Sequence, residues 1–143
     1  MLRAQKFIAL ALALGFAMST VGFGVTAAAE QQKAPQKIVQ TAGRDALGDF
    51  APDFARYNDD VLFGEVWSRN DKLSLHDRSL VTISALIGAG VIDSSLKYHI
   101  ATAKKNGVTK EEMVEALTQL GFYAGWPKAW AAFRMAKEVY TEK

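Results

Sequence analysis

Only two side chains of this chain titrate near neutral pH in their ordinary state, His76 and His99. His99 stands between Leu96 and Ile100, at the edge of the apolar face that helical spacing gives to this stretch. That setting offers a proton donor or acceptor beside a dry surface; it equally suits a buried histidine hydrogen-bonded to a neighbour. Glu65 supplies a carboxylate that could pair with the imidazole and orient it, or could simply face solvent. Arg78 lies one turn into a helix whose next residues are apolar. Its guanidinium either grips a substrate carboxylate through two parallel hydrogen bonds or pairs with Asp77, Glu65 or a neighbouring subunit. Tyr123 and Trp126 flank Gly125 at a helix start, where amides and aromatic rims shape pockets; packing in a core or interface is the other reading. His76 reads as a solvated first-turn residue, and Glu111, Glu112 and Glu115 as capping and surface charge.

Several chemistries have no support in these residues. The chain has no cysteine, hence no disulfide framework and no thiolate. Its two histidines are far apart, and no Asp/His cluster has metal-ligand spacing, so no metal site is expected. Gly88 and Gly90 end a helix instead of preceding one, unlike a phosphate loop. No cofactor is expected.

The elements that must hold these residues begin after a segment of different character. Arg3 and Lys6 precede Phe7 to Ala29, a stretch without charge that ends in small residues before Glu30. Residues 1–29 therefore read as a signal peptide cleaved after Ala29, with a retained membrane anchor as the other possibility. The expected location is periplasmic or secreted. Setting aside Arg3 and Lys6 leaves 15 basic against 15 acidic side chains, a neutral surface that gives no reason to expect nucleic acid or an acidic membrane as partner. Residues 30–37 read as a disordered lead-in, and 38–143 as one small domain.

Within that domain the apolar spacing is helical and no alternating strand pattern occurs, so the fold is expected to be all-α, a compact bundle of about six helices. Ile38 to Leu47 reads as a short helix stopped by Gly48, and Pro52 as the start of a turn carrying Phe54 and Tyr57. Asn58, Asp59 and Asp60 offer caps for a separate helix through Trp67. Ser74 to Asp77 has capping-box spacing, and Thr109 to Glu112 is a full capping box. Asn106-Gly107 is a stop, and Trp126-Pro127 opens the last helix, where Trp130, Phe133, Lys137 and Tyr140 line one side. The apolar content is high for so small a domain, and self-association would bury the surplus.

Five runs occur in an order that resembles the carboxymuconolactone decarboxylase family, of the AhpD-like superfamily. They are Phe63-Gly-Glu-Val-Trp67, Leu73-Ser-Leu-His-Asp-Arg-Ser-Leu-Val-Thr-Ile83, Leu96-Lys-Tyr-His-Ile100, Asn106-Gly-Val-Thr-Lys-Glu-Glu112 and Phe122-Tyr-Ala-Gly-Trp-Pro-Lys-Ala129. The resemblance covers about Ala46 to Tyr140 and implies an all-α homo-oligomer, commonly a trimer or hexamer. One branch of the superfamily uses two thiols and a histidine on one helix. Here Ile92 and Ser95 stand at the thiol positions while His99 remains, so peroxide reduction of the AhpD-like kind is disfavoured. Many relatives carry Glu where this chain has Ser79.

The other branch removes CO2 from a carboxylated lactone without a cofactor. Such a site needs a hold on the carboxylate and carbonyl, a general acid, and an apolar wall. The resemblance thus implies a cofactor-independent lyase acting on a small carboxylated lactone or a keto or enol acid. In it His99 would be the acid/base, Glu65 its orienting partner and Arg78 the carboxylate anchor, with Tyr123 and Trp126 at the substrate. A non-enzymatic oligomeric small-molecule binder is the alternative, favoured by Ser79.

Overall fold

The computed structural model describes residues 35–142, and the expected signal peptide, residues 1–29, lies outside them. Among the described residues every regular element is helical. No helix there is long and apolar enough to cross a membrane. In order they are α1 (Ala42–Leu47), α2 (Pro52–Arg56) running into a π-helix (Tyr57–Trp67), α3 (Leu75–Ala89), α4 (Ser94–Lys105), α5 (Lys110–Ala124) and α6 (Trp126–Thr141).

The caps that start and stop the later helices are local. Ser74 accepts the backbone N–H of Asp77 ahead of α3. Asp93 accepts that of Ser95 ahead of α4. At α5 the capping box is complete: Thr109 Oγ1 accepts the N–H of Glu112, and the Glu112 carboxylate accepts the N–H of Thr109. Gly90 ends α3 in the left-handed conformation at φ 82°, which a side chain would disfavour.

α3 to α6 enclose the core. Ile83 and Ile87 of α3 meet Leu96, Ile100 and Ala103 of α4, Met113 and Leu117 of α5, and Ala132, Ala136 and Val139 of α6. Burying each of the large aliphatic side chains contributes roughly 1.5–3 kcal/mol. α6 turns its alanines inward, because small side chains let the helix approach α4 and α5 closely. Of its aromatics, Phe133 and Tyr140 pack partly buried against the core, while Trp126 and Trp130 are left outside, Trp130 at 64% exposed.

The first half of the domain departs from the sequence reading in two places. Residues 38–41 are extended, not helical, and α1 begins only at Ala42. Ile38 N–H donates to Ser68 Oγ, and Gln36 exchanges two hydrogen bonds with Asn70, through its N–H and its carbonyl. Of the expected lead-in 30–37, this is the described part. Second, Asn58 to Asp60 start no new helix. The backbone passes through Arg56 and Tyr57 in helical conformation, so Pro52 to Trp67 is one rod. Asp59 is used elsewhere. Its buried carboxylate accepts the N–H of Gly43 at 2.9 Å and of Arg44 at 3.0 Å, capping α1, whose own Thr41 makes no side-chain cap.

Candidate functional site

His99 is carried by α4, which its Asp93 cap begins and its buried row Leu96, Ile100 and Ala103 fixes against the core. At about 100° per residue, His99 stands on the flank of that row. Lys97 and Lys104 occupy the other flank, roughly 160° and 140° around the helix from it. They bind α6, Lys97 Nζ to Glu138 at 2.8 Å and Lys104 Nζ to the Val139 carbonyl at 2.7 Å. His99 therefore faces away from the α4–α6 contact. It is half-buried, and burial pushes its pKa below the ordinary imidazole value. Its ring lies edge-on to Tyr98, centroids 5.3 Å apart, and it makes no side-chain hydrogen bond among the described residues. Gln40 Nε2 donates to the Tyr98 hydroxyl at 3.5 Å, which brings the extended segment alongside. The result is a neutral imidazole at physiological pH whose ring nitrogens have no hydrogen-bond partner among the described residues.

Arg78 is partly buried in the first turns of α3. One terminal nitrogen donates to the Arg69 carbonyl at 3.3 Å, and Nε is buried without a hydrogen-bond partner. Two of the ion pairs considered from sequence do not form: among the described residues Arg78 pairs with neither Asp77 nor Glu65. A buried N–H of a permanent cation left unsatisfied costs free energy that an anion placed there would recover.

Ser79, at the position where many relatives have Glu, is buried and committed to structure. Its hydroxyl donates to the Leu75 carbonyl at 2.7 Å and accepts from Asn106 Nδ2 at 3.0 Å. That link ties the start of α3 to the end of α4. Of the two positions where other members have thiols, Ile92 packs against the core and Ser95 is exposed.

Glu65 is exposed on the π-helix and lines a concavity of about 320 Å³ together with Gln40, Asp59 and Asp60. His99, Glu65 and Arg78 make no hydrogen bond or ion pair with one another among the described residues. Tyr123, at 84% exposed, and Trp126 sit at the α5–α6 junction. Trp126 packs edge-on to Phe122 at 5.2 Å and over Gly121, where a Cβ would meet its ring at 3.1 Å. It lines a separate groove with Trp130, Phe133, Arg134 and Lys137, none of them from the His99 helix. The expected set is thus spread over the π-helix (Glu65), α3 (Arg78), α4 (His99) and the α5–α6 junction (Tyr123, Trp126). Among the described residues no three His, Asp or Glu side chains gather as a metal-holding group.

One polar network was missed from sequence. His76 is not a free solvated residue: its Nδ1 lies 2.8 Å from Asp77 and its Nε2 3.2 Å from Glu112. Those two contacts raise its pKa, Asp77 contributing most. Glu112 belongs to the α5 capping box, which sequence reveals, but its contact with a histidine of another helix has no local signal.

Comparison with known proteins agrees with this arrangement of helices. The model of the carboxymuconolactone decarboxylase family matches residues 52–138. The chain is similar to the 4-carboxymuconolactone decarboxylase of Acinetobacter baylyi, 43% identical over 96 residues, which are 67% of this chain and 70% of that protein. It is also similar to an uncharacterized 15.0 kDa protein of the nqo9–nqo10 intergenic region of Paracoccus denitrificans, 28% identical over 112 residues, 78% of this chain and 74% of the other. With the family's pattern spanning α2 to α6, the chain belongs to the carboxymuconolactone decarboxylase family.

Proposed function

We propose that this protein is a cofactor-independent carboxy-lyase acting on a small carboxylated lactone or a related keto or enol acid. The observation that carries the reading is the unpartnered, half-buried imidazole of His99, in a chain similar to a 4-carboxymuconolactone decarboxylase. Arg78, with its unsatisfied buried Nε, is the candidate anchor for the substrate carboxylate or carbonyl.

In the proposed reaction the bond between the ring carbon and the carboxylate breaks. Its electron pair passes into the conjugated lactone carbonyl, CO2 leaves, and the carbon takes one proton from His99. Burial keeps the resting imidazole neutral. A bound carboxylate reverses this, because a nearby negative charge favours the imidazolium and so loads the acid when substrate is present. The partial burial of His99 favours loss of CO2 to the extent that it leaves a carboxylate bound beside the ring poorly solvated. Glu65 is the remaining candidate for orienting the ring and Tyr123 for a contact at the substrate, Trp126 being taken up in the separate groove of α6.

The test is release of CO2 by the purified protein from 4-carboxymuconolactone and a panel of keto and enol acids. Turnover abolished by His99→Gln supports the reading; no CO2 release from any member of the panel would overturn it. A non-enzymatic small-molecule binder is the second reading, favoured by the structural commitment of Ser79. Binding of the same acids with no turnover would select it.

We further propose that the protein is exported, with residues 1–29 removed as a signal peptide, and works as a homo-oligomer, a trimer or hexamer. The exposed aromatic and aliphatic residues of the first half, Phe50 at 90%, Phe54, Tyr57 and Leu62, are surface that self-association would cover. N-terminal sequencing of protein from the periplasmic fraction and sedimentation of the purified protein test the two points.

A further inference from the structure

We propose that the groove along α6, which meets the start of α5 at its far end, is a binding site for a free medium-chain alkyl carboxylate, separate from His99 and Arg78. Two concavities adjoin there, of about 490 Å³ and about 300 Å³, and both are lined by Phe133 and Lys137. The first has the indoles of Trp126 and Trp130 in its lining; the second has Met113, Val114 and Tyr140. Together they follow α6 from Trp126 to Tyr140, a span of about 21 Å at the rise of an α-helix. The volume is in the range of small-molecule sites, and the elongated apolar lining suits an alkyl chain better than a compact ring.

The charged side chains favour an anionic head, although the first concavity is walled almost wholly by carbon, so Arg134 and Lys137 border it with their aliphatic stems. Every charged side chain lining the two concavities is a cation, Arg134 and Lys137 in the first and Lys110 and Lys137 in the second. None of the three makes an ion pair or side-chain hydrogen bond among the described residues. The domain as a whole carries balanced charge, so this local excess stands out. An apolar lining with open cations matches a carboxylate head on an apolar tail. A second copy related by a two-fold axis would set Lys110, Arg134 and Lys137 against their own copies; a head-to-tail contact would not, and sedimentation with laurate separates that occupant from a free ligand.

The experiment titrates the purified protein with laurate below its micelle concentration, reading tryptophan fluorescence and binding heat. Saturable binding at one site per chain is expected, weakened about tenfold or more in Lys110→Gln/Arg134→Gln/Lys137→Gln. Lys137→Gln alone, at the position common to both concavities, gives the same direction should the triple variant fail to fold. Dodecyltrimethylammonium, with the same tail length and the opposite charge, is expected not to bind. Equal binding of that cation, or unchanged laurate affinity in Lys137→Gln, would overturn the proposal. So would binding to phosphatidylglycerol vesicles with none to laurate, or sedimentation showing that laurate binds only when a subunit dissociates from this face.

Discussion

Glu112 Oε2 lies 3.2 Å from His76 Nε2, joining the N-terminus of α5 to that of α3. The same oxygen accepts the backbone N–H of Thr109 at 2.8 Å and its hydroxyl at 2.9 Å. The backbone hydrogen bond, then His76, then the Thr109 hydroxyl hold the Glu112 pKa down to about 2. His76 moves the other way, raised first by Asp77 and then by Glu112. A raised histidine pKa contributes stability that is full below the ordinary value of 6.5 and lost as pH climbs through the folded value. A depressed glutamate pKa contributes stability present above the ordinary 4.5 and lost as pH falls toward about 2. His99 acts the other way, its lowered pKa adding stability as pH rises toward 6.5, so the comparison that isolates His76 is wild type against His76→Gln in thermal melts across pH. In His76→Gln the loss on the alkaline side should flatten while the acid-side loss remains. A stability difference between wild type and His76→Gln that stays constant from pH 6 to pH 8 would contradict this.

Gly43 is the close point between α1 and the rod that follows. A Cβ there would come within 2.7 Å of Asp59 Oδ1 and 2.9 Å of the Ala55 carbonyl, one of them rigid backbone. Gly43→Ala should cost about 1–3 kcal/mol by urea unfolding, since the carboxylate must give up its cap to make room. An unchanged urea midpoint would mean that Asp59 does not fasten α1 in solution.

Thr109→Ala removes the hydroxyl that receives the Glu112 N–H. The expected loss is about 1 kcal/mol, as for other N-cap deletions, with CO2 release untouched. A change in kcat with no change in stability would show that the α5 start serves the chemistry.

His99→Gln should reduce CO2 release by at least about 100-fold, the usual contribution of a positioned acid or base. The melting temperature should stay near wild type, because the imidazole has no side-chain hydrogen bond to lose. Proton NMR adds an independent measure. In the free protein His99 should titrate below the ordinary imidazole value, and a bound carboxylate should move it upward. An unfolded His99→Gln protein, or a His99 signal silent to every carboxylate, would return this residue to the core.

Much of the second half of the domain was legible because its determinants are near neighbours in sequence. Thr109 and Glu112 are three residues apart, and Asp93 caps through Ser95 two residues on. Leu96, Ile100 and Ala103 recur at helical spacing, so His99 was read at the margin of an apolar face, and it lies there. The first half resisted because its partners are distant. Asp59 was read as a cap for the helix it sits in, whereas its carboxylate serves α1 sixteen residues earlier. The segment around Ile38 has helical spacing, but Ser68 and Asn70 hold it extended. On α6 the sequence singled out only the side carrying Trp130, Phe133, Lys137 and Tyr140. Its buried side is made mostly of alanines, since close helix approach rewards small volume and hydropathy alone does not register it.

The sequence by itself determined the helical class, the starts of α3 to α6 and the family. Each follows from side chains acting within one or two turns, or from runs of residues in fixed order. Only the tertiary structure decided which polar groups are spent and which stay open. Ser79 is closed by Asn106, Asp59 by Gly43 and Arg44, and His76 by Glu112, while His99 and Arg78 Nε keep free positions. Hydrogen-bond satisfaction is a property of three-dimensional neighbours, and it separates a structural polar residue from one available to a substrate.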